Sequence, residues 1–398
     1  MPTAEPTSRD FKSILLIKLS AVGDVVHTIP LLNALRRRYP KARLDWLVTP
    51  PIAELLTPNP AITNVIEFQR EEWSRPLREF WQAAPFVSAA RLIAQLRAAE
   101  YDLVLDLQGQ LRSAVFAFAS GAPMRLGFDR PRADVWKASR RLIPDEARRH
   151  AWQGAREGSF LAYTHHIALP TLDIHPVERY LRFGAPIGLD DARPDFSFPL
   201  PPEAAPRIDA LLDYYEIAKA KIIVMAPGTN WDTKQWRSDG FAEVARHFLQ
   251  QKCAVVLVGS PREHDLCAEV AKLAPGAINL AGETTLPELA ALIGRSALCI
   301  SNDSGPMHLA VALDRPVVAV FGPTDPIWAG PYKRDSAVLR ADLPCSPCYL
   351  RQLSRCTHGH ACMKDVSAKM VIDRAEKILA AQPVRPKVAP KPPSPVRS

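Results

Sequence analysis

The chain has 398 residues, 47% of them apolar, which is too long for one common domain and enough for two of roughly 150 to 200 residues with a core each. Its formal net charge is +8, and the lack of any run of about 18 uncharged apolar residues excludes a helical membrane span. The opening MPTAEPTSRDFKS is polar, without the apolar stretch of a secretory leader, so a cytoplasmic protein is expected.

In chain order, residues 14–19 form the first apolar run of strand length, and Ser20-Ala21-Val22-Gly23-Asp24 breaks it before an amphipathic helix. Asp24 projects from that strand-to-helix loop, where an aspartate either caps the helix or stands at the edge where chemistry is placed. Strands are expected at 43–48, 65–68 and 103–107. Between the last two, residues 71–99 mix Trp73, Phe80, Trp81 and Phe86 with Arg75, Arg78 and Arg91, which suits an interfacial membrane segment or a helix packed on its own domain. Residues 125–149 carry Arg125, Arg130, Arg132, Lys137, Arg140, Arg141, Arg148 and Arg149 against four acids. No nucleic-acid motif accompanies them, so nucleic acid is not an expected partner; a phosphorylated lipid, an anionic leaflet or a solvated helix face remain.

Prolines between 190 and 206 break both periodicities and mark an interdomain connection. The second half then alternates cleanly: strand 221–225, helix 240–250, strand 254–258, helix 264–273, strand 278–280, helix 286–293, strand 297–300, a helix from Pro306 to about 314 and a strand from Pro316. Such alternation implies an α/β protein with mostly parallel sheets covered on both faces. The expected organisation is a disordered start at 1–12, a domain at 13–190, a linker at 191–206, a second domain at 207–380 and a disordered proline-rich tail at 381–398. That tail holds Arg385, Lys387, Lys391 and Arg397 and no acid.

The segment SNDSGPMHLAVALDRPVVAVFGPTDPIWAGPY, from Ser301, carries the most chemistry. Asp303-Ser304-Gly305 turns from a strand into a helix with Pro306 near its start, where the missing N–H costs nothing. Free N–H groups and the positive end of the helix dipole favour phosphate there, and His308, four residues after Ser304, faces the same anion. Asp303 either orders the turn or contacts the ligand held there. In PGTNWDTK, the residues Thr229, Asn230 and Lys234 add hydroxyl, amide and ammonium donors, although Lys234 also reads as a surface lysine. Glu263 stands in the strand-end loop 259–263, where a carboxylate suits ribose hydroxyls, and Thr284 in the neighbouring loop 282–285. Cys345, Cys348, Cys356 and Cys362 are spaced C-x2-C-x7-C-x5-C around His358 and His360, which suits either a structural zinc or a metal-free thiol cluster. No G-x-G-x-x-G follows the first strand of either half, which disfavours a dinucleotide oxidoreductase.

Over about residues 13–375, the motifs SAVGDVVHTIP, YDLVLDLQG, APGTNWDTKQW and the segment from Ser301 together resemble the heptosyltransferases of lipopolysaccharide core assembly, glycosyltransferase family 9. The resemblance implies a GT-B fold, two Rossmann-like domains facing a cleft. It also implies metal-independent, inverting transfer of heptose from ADP-L-glycero-D-manno-heptose to a lipid A-Kdo or heptose acceptor, with no cofactor required. Asp24 becomes the expected general base, with Ser20, Gly23 and His27 beside it, and Lys234 takes the place of a divalent metal. Glu263 is placed near the ribose and Thr284 near the base. Acceptor phosphates are expected at Arg112, Arg125 and Arg132, and the enzyme is expected on the inner face of the inner membrane, against anionic lipid. Another GT-B transferase, a nucleotide-sugar epimerase and a non-catalytic nucleotide-sugar binder are the alternatives.

Overall fold

The computed structural model describes residues 10–69, 84–130, 132–138, 154–189 and 193–381. Two six-stranded sheets organise them. The first holds β1 (Ser13–Ile17), β2 (Arg43–Val48), β3 (Asn64–Glu67), β4 (Leu103–Asp106), β5 (Met124–Phe128) and β6 (His165–Ile167) in the order β3-β2-β1-β4-β5-β6. The second holds β7 (Ile222–Ala226), β8 (Ala254–Leu257), β9 (Ile278–Asn279), β10 (Leu298–Asn302), β11 (Val317–Phe321) and β12 (Val338–Arg340) in the order β12-β11-β10-β7-β8-β9. Every ladder is parallel. Counted from its own first strand, each sheet therefore has the doubly wound Rossmann order.

Helices on both faces explain why the central strands read as unbroken apolar runs: Ile14, Leu15, Leu16 and Ile17 of β1 and Ile223, Val224 and Met225 of β7 are fully buried. Each such side chain contributes about 1.5–3 kcal/mol of burial free energy. Both sheets reverse strand order beside their first strand, between β1 and β4 and between β7 and β10. Ligand crevices open at the carboxyl ends of strands at such switch points. The Val22–Arg38 helix leaves β1, the Gly305–Ala312 helix leaves β10, and the two pack together. Val26 of the first belongs to the second sheet's core, and Trp328 and Tyr349 belong to the first sheet's core, so the two halves share apolar contacts.

Most predicted elements fall within two residues of those observed. The Ala204–Tyr214 helix begins within the expected linker and takes in Pro206 in its first turn, where proline removes no intrahelical bond. Ahead of it the chain is strapped to the Val22–Arg38 helix: the Asn33 amide donates to the carbonyls of Asp195 and Ser197 at 2.8 Å each, and Arg37 pairs with Asp195 at 2.8 Å. β5, β6 and β12 were not foreseen. The expected disordered start is described only from Asp10, and most of the basic tail, Trp73, Arg75, Arg78, Phe80 and Trp81 of the 71–99 segment and the arginines at 140, 141, 148 and 149 lie outside the described residues.

Candidate active site

The loops at both switch points open into one cavity of ≈ 810 Å³ between the sheets. From the first sheet, Gly23, Asp24 and His27 line it; Ser20 lies just before them, outside the lining. Asp24 stands in the first turn of its helix, its side chain 38% exposed. Its Oδ1 accepts from the Tyr180 hydroxyl at 3.1 Å, and its Oδ2 lies 3.4 Å from Lys18 Nζ. It is not a helix cap: that position belongs to Ala21. Burial works to raise the Asp24 pKa, but Lys18, Arg179 and the Tyr180 hydroxyl outweigh it and hold the carboxyl below the ordinary range. The group is therefore ionised at neutral pH.

From the second sheet, Thr229, Asn230, Lys234, Glu263, Thr284, Asp303, Ser304, Gly305 and His308 all line the same cavity. The Ser304 hydroxyl pairs with that of Ser301 at 2.9 Å instead of capping its helix, so the first-turn amides keep no side-chain partner. The helix start is therefore an anion site in waiting. Gly305 approaches the opposite half closely, a Cβ there falling 3.3 Å from Val22 Cβ. Lys234 Nζ sits 2.7 Å from Asp303 Oδ2 and 4.3 Å from the centre of the Trp231 ring, whose neighbourhood also holds the Arg351 guanidinium at 4.8 Å. The Thr324 hydroxyl donates to the same Asp303 oxygen at 2.7 Å. Asp303 thus orders the turn and aims the ammonium. Glu263 accepts from the Ser260 amide at 2.6 Å through Oε2, while Oε1 occupies the space a Cβ would need at Gly228.

Histidines join the two halves. His27 Nε2 and His308 Nδ1 are 2.9 Å apart, and the His308 ring lies so close over Gly23 that a Cβ there would meet its Cδ2 at 2.2 Å. Burial lowers His308 to about 4 against the opposing pull of Asp303 and Asp24, and holds His27 well below the usual histidine range. Both rings are neutral at pH 7.

The model of glycosyltransferase family 9 (heptosyltransferase) matches residues 89–153 and 145–357. The chain is 32% identical over 345 residues to lipopolysaccharide heptosyltransferase 1 of Pseudomonas aeruginosa, covering 84% of this chain and 85% of that protein. The chain belongs to glycosyltransferase family 9. Lipopolysaccharide heptosyltransferase 1 of Escherichia coli K12 is 27% identical over 82% of this chain and 93% of its own length. Among solved structures, the family 9 enzyme from Veillonella parvula superposes with a TM-score of 0.73 at 20% identity, covering 95% of this chain and 99% of that one. The E. coli heptosyltransferase WaaC with ADP gives 0.68 at 25% identity, covering 92% and 99%.

In this family 9 chain the three arginines expected to hold acceptor phosphates lie off the cavity. Arg125 is held by the carbonyls of Ala162 and Ala122 at 2.8 and 2.6 Å, Arg132 by Asp134 at 2.7 Å, and Arg112 stacks toward Phe68. The arginines that act electrostatically on Asp24 are Arg179 and Arg156, which the sequence reading passed over together with Lys18, Tyr180 and Trp231. Lys18 had a visible signal, a lone charge in the apolar run ILLIKLS.

The expected zinc finds no support: Cys345, Cys348, Cys356 and Cys362 are free thiols, and among the described residues no group of three or more His, Cys, Asp or Glu is placed to hold a metal ion. Cys362 packs behind Gly322 in the second core, its thiol pushed up to about 11 by burial and by the neighbouring Cys348, Cys345 and Cys356. His360 turns away to the Thr233 carbonyl at 2.7 Å, and Cys356 Sγ accepts from the His360 amide.

Proposed function

We propose that this enzyme transfers heptose from an ADP-activated donor to an acceptor of the lipopolysaccharide core, lipid A-Kdo or heptose, with inversion at the anomeric carbon. The observation that carries the reading is the juxtaposition across one cavity: an ionised carboxylate on one half and a helix start flanked by an ammonium on the other. Asp24 takes the proton of the acceptor hydroxyl as its oxygen bonds to the anomeric carbon. The bond from that carbon to the phosphate oxygen breaks on the opposite face, and the diphosphate leaves with the electron pair. Its growing charge is met by the amides after Ser304, by Gly305, His308 and Lys234, with Thr229 and Asn230 beside them; preplaced donors of this kind lower the barrier most. Glu263, already fixed by its bond to Ser260, offers its second oxygen to ribose hydroxyls, and Thr284 lies toward the base.

Residues 13–190 are read as the acceptor domain and 207–380 as the donor domain. The acceptor's anionic groups meet Arg156 and Arg179 near Asp24, with Arg112, Arg125 and Arg132 farther along the same half, where they face an anionic inner leaflet. Among the described residues no helix is long and apolar enough to cross a membrane, so the contact read here is peripheral.

A panel of nucleoside diphosphates tests the donor. A ligand bound only by the native state at 100 times its Kd stabilises it by about 2.7 kcal/mol. ADP is expected to raise the melting temperature more than UDP or GDP. A preference for UDP would turn the assignment to another GT-B transferase or an epimerase.

A further inference from the structure

His27 lies in the heart of the contact between the halves, 4% exposed, and serves no bond that secures its own helix. Its ring meets His308 at 84° with centroids 4.3 Å apart, and Nε2 to Nδ1 is 2.9 Å. One of those nitrogens carries the shared proton. The other His27 nitrogen, Nδ1, is buried with no hydrogen-bond partner among the described residues, and that orphan decides which. If His308 Nδ1 donates, a neutral His27 must keep its proton on Nδ1, and a buried N–H is left without an acceptor. If His27 Nε2–H donates, the orphan is only a bare lone pair, the better tolerated of the two.

A third ring packs against His27 without supplying a partner. His175 lies edge-on to His27 with centroids 4.9 Å apart; its Nδ1 accepts from the Val177 amide at 3.2 Å, so its proton is on Nε2 and goes to the Gly330 carbonyl at 3.0 Å. Protonated forms are disfavoured by burial and by the Lys18 and Arg179 cations that face His27.

We propose that His27 is a positioning residue for the transfer: its Nε2–H fixes His308 in the tautomer that presents Nε2–H to the leaving diphosphate. The inference rests on the reading of the Ser304–His308 turn as the diphosphate site. The histidine would otherwise be free to turn a lone pair toward an anion, which repels it; the locked tautomer makes it a neutral donor that costs no charge desolvation. Because His27 comes from the other half, the donor is armed only when the two halves are docked.

The test is a pair of variants in the full chain. His27→Phe keeps the ring volume without a donor, and His27→Gln restores an N–H near the Nε2 position. Loss of one preorganised donor costs about 10²-fold in turnover when the donor is removed outright, so His27→Phe is expected to lose at least about tenfold in kcat, and His27→Gln to recover most of that loss. Nitrogen-15 spectra of the wild type are expected to show His308 protonated at Nε2, and the His27→Phe spectrum a mixture of tautomers. Equal kcat in the two variants with equal melting temperatures, or a wild-type His308 protonated at Nδ1, overturns the proposal. His308→Asn is the separate check on the diphosphate reading: unchanged ADP affinity and turnover contradict that reading whatever tautomer His308 holds.

Discussion

Gly23 is the residue at which sequence, packing and chemistry meet. Its lack of a side chain looks in the sequence like loop punctuation, yet it is the space into which the His308 ring fits from the other half. A methyl group there meets Cδ2 at 2.2 Å, and His27 behind the ring blocks its retreat. Gly23→Ala is therefore expected to lower kcat by about 10²-fold, the scale at which a misplaced catalytic donor acts, while ADP-independent stability falls by no more than the ~1–3 kcal/mol of an overpacked site. A variant with full turnover would show that the close approach has no catalytic use. The titration at this scale has a definite sign. Asp24 sits below its ordinary value and His308 at about 4, so neither changes charge between about pH 8 and about pH 5, and kcat/KM is expected to stay flat across that window. An acidic limb with an apparent pKa near 6.5 would mean that a histidine, not Asp24, carries the essential proton. For Asp24 the sequence showed the strand-to-helix loop but left a helix cap and an edge carboxylate open, and the fold decides against the cap. Tyr180, which fixes Asp24 from 156 residues away, left no local signal.

At the scale of elements, the Lys234–Asp303 pair ties the loop after β7 to the turn after β10. Asp303 is 5% exposed, and removing only its partner leaves a buried carboxylate held, among the described residues, by the Thr324 hydroxyl. Breaking a buried pair from one side costs about 3–5 kcal/mol. Lys234→Met is expected to lower stability by an amount at the lower end of that range, and the double variant with Asp303→Asn to regain most of it without regaining turnover. If the double variant recovered activity, the ammonium would have no part in the chemistry. The same loops show what the sequence could and could not reveal. Strands buried on both faces, such as β7, β8, β10 and β11, announce themselves as apolar runs. β5 contains Arg125 and Gly127, β6 is only His165–Ile167, and β12 is three residues at the sheet edge, so no periodicity marked them. The cysteine spacing did foretell a thiol cluster, since Cys345, Cys348 and Cys356 all act on Cys362, but spacing along a chain does not by itself set three donors around one ion, and among the described residues none are so placed.

Across the whole molecule, two sheets with the same strand order turn their switch points toward one another, and the cavity between them is lined by both. The cavity-lining residues of the second half were legible as a group because each follows its own strand as a short polar motif. Arg156 and Arg179 were not, since one lies in a loop and the other in the Pro176–Leu181 helix, far from Asp24 in sequence, and only the fold brings them near it. The central claim is a division of labour: one half removes the acceptor proton and the other holds the departing diphosphate. The most direct test is to measure turnover and ADP affinity on the same preparation of Asp24→Asn. The account predicts a loss of 10²-fold or more in kcat, the usual range for a general base, with ADP affinity unchanged. Turnover within about tenfold of the wild type, or a parallel loss of ADP binding, would contradict it.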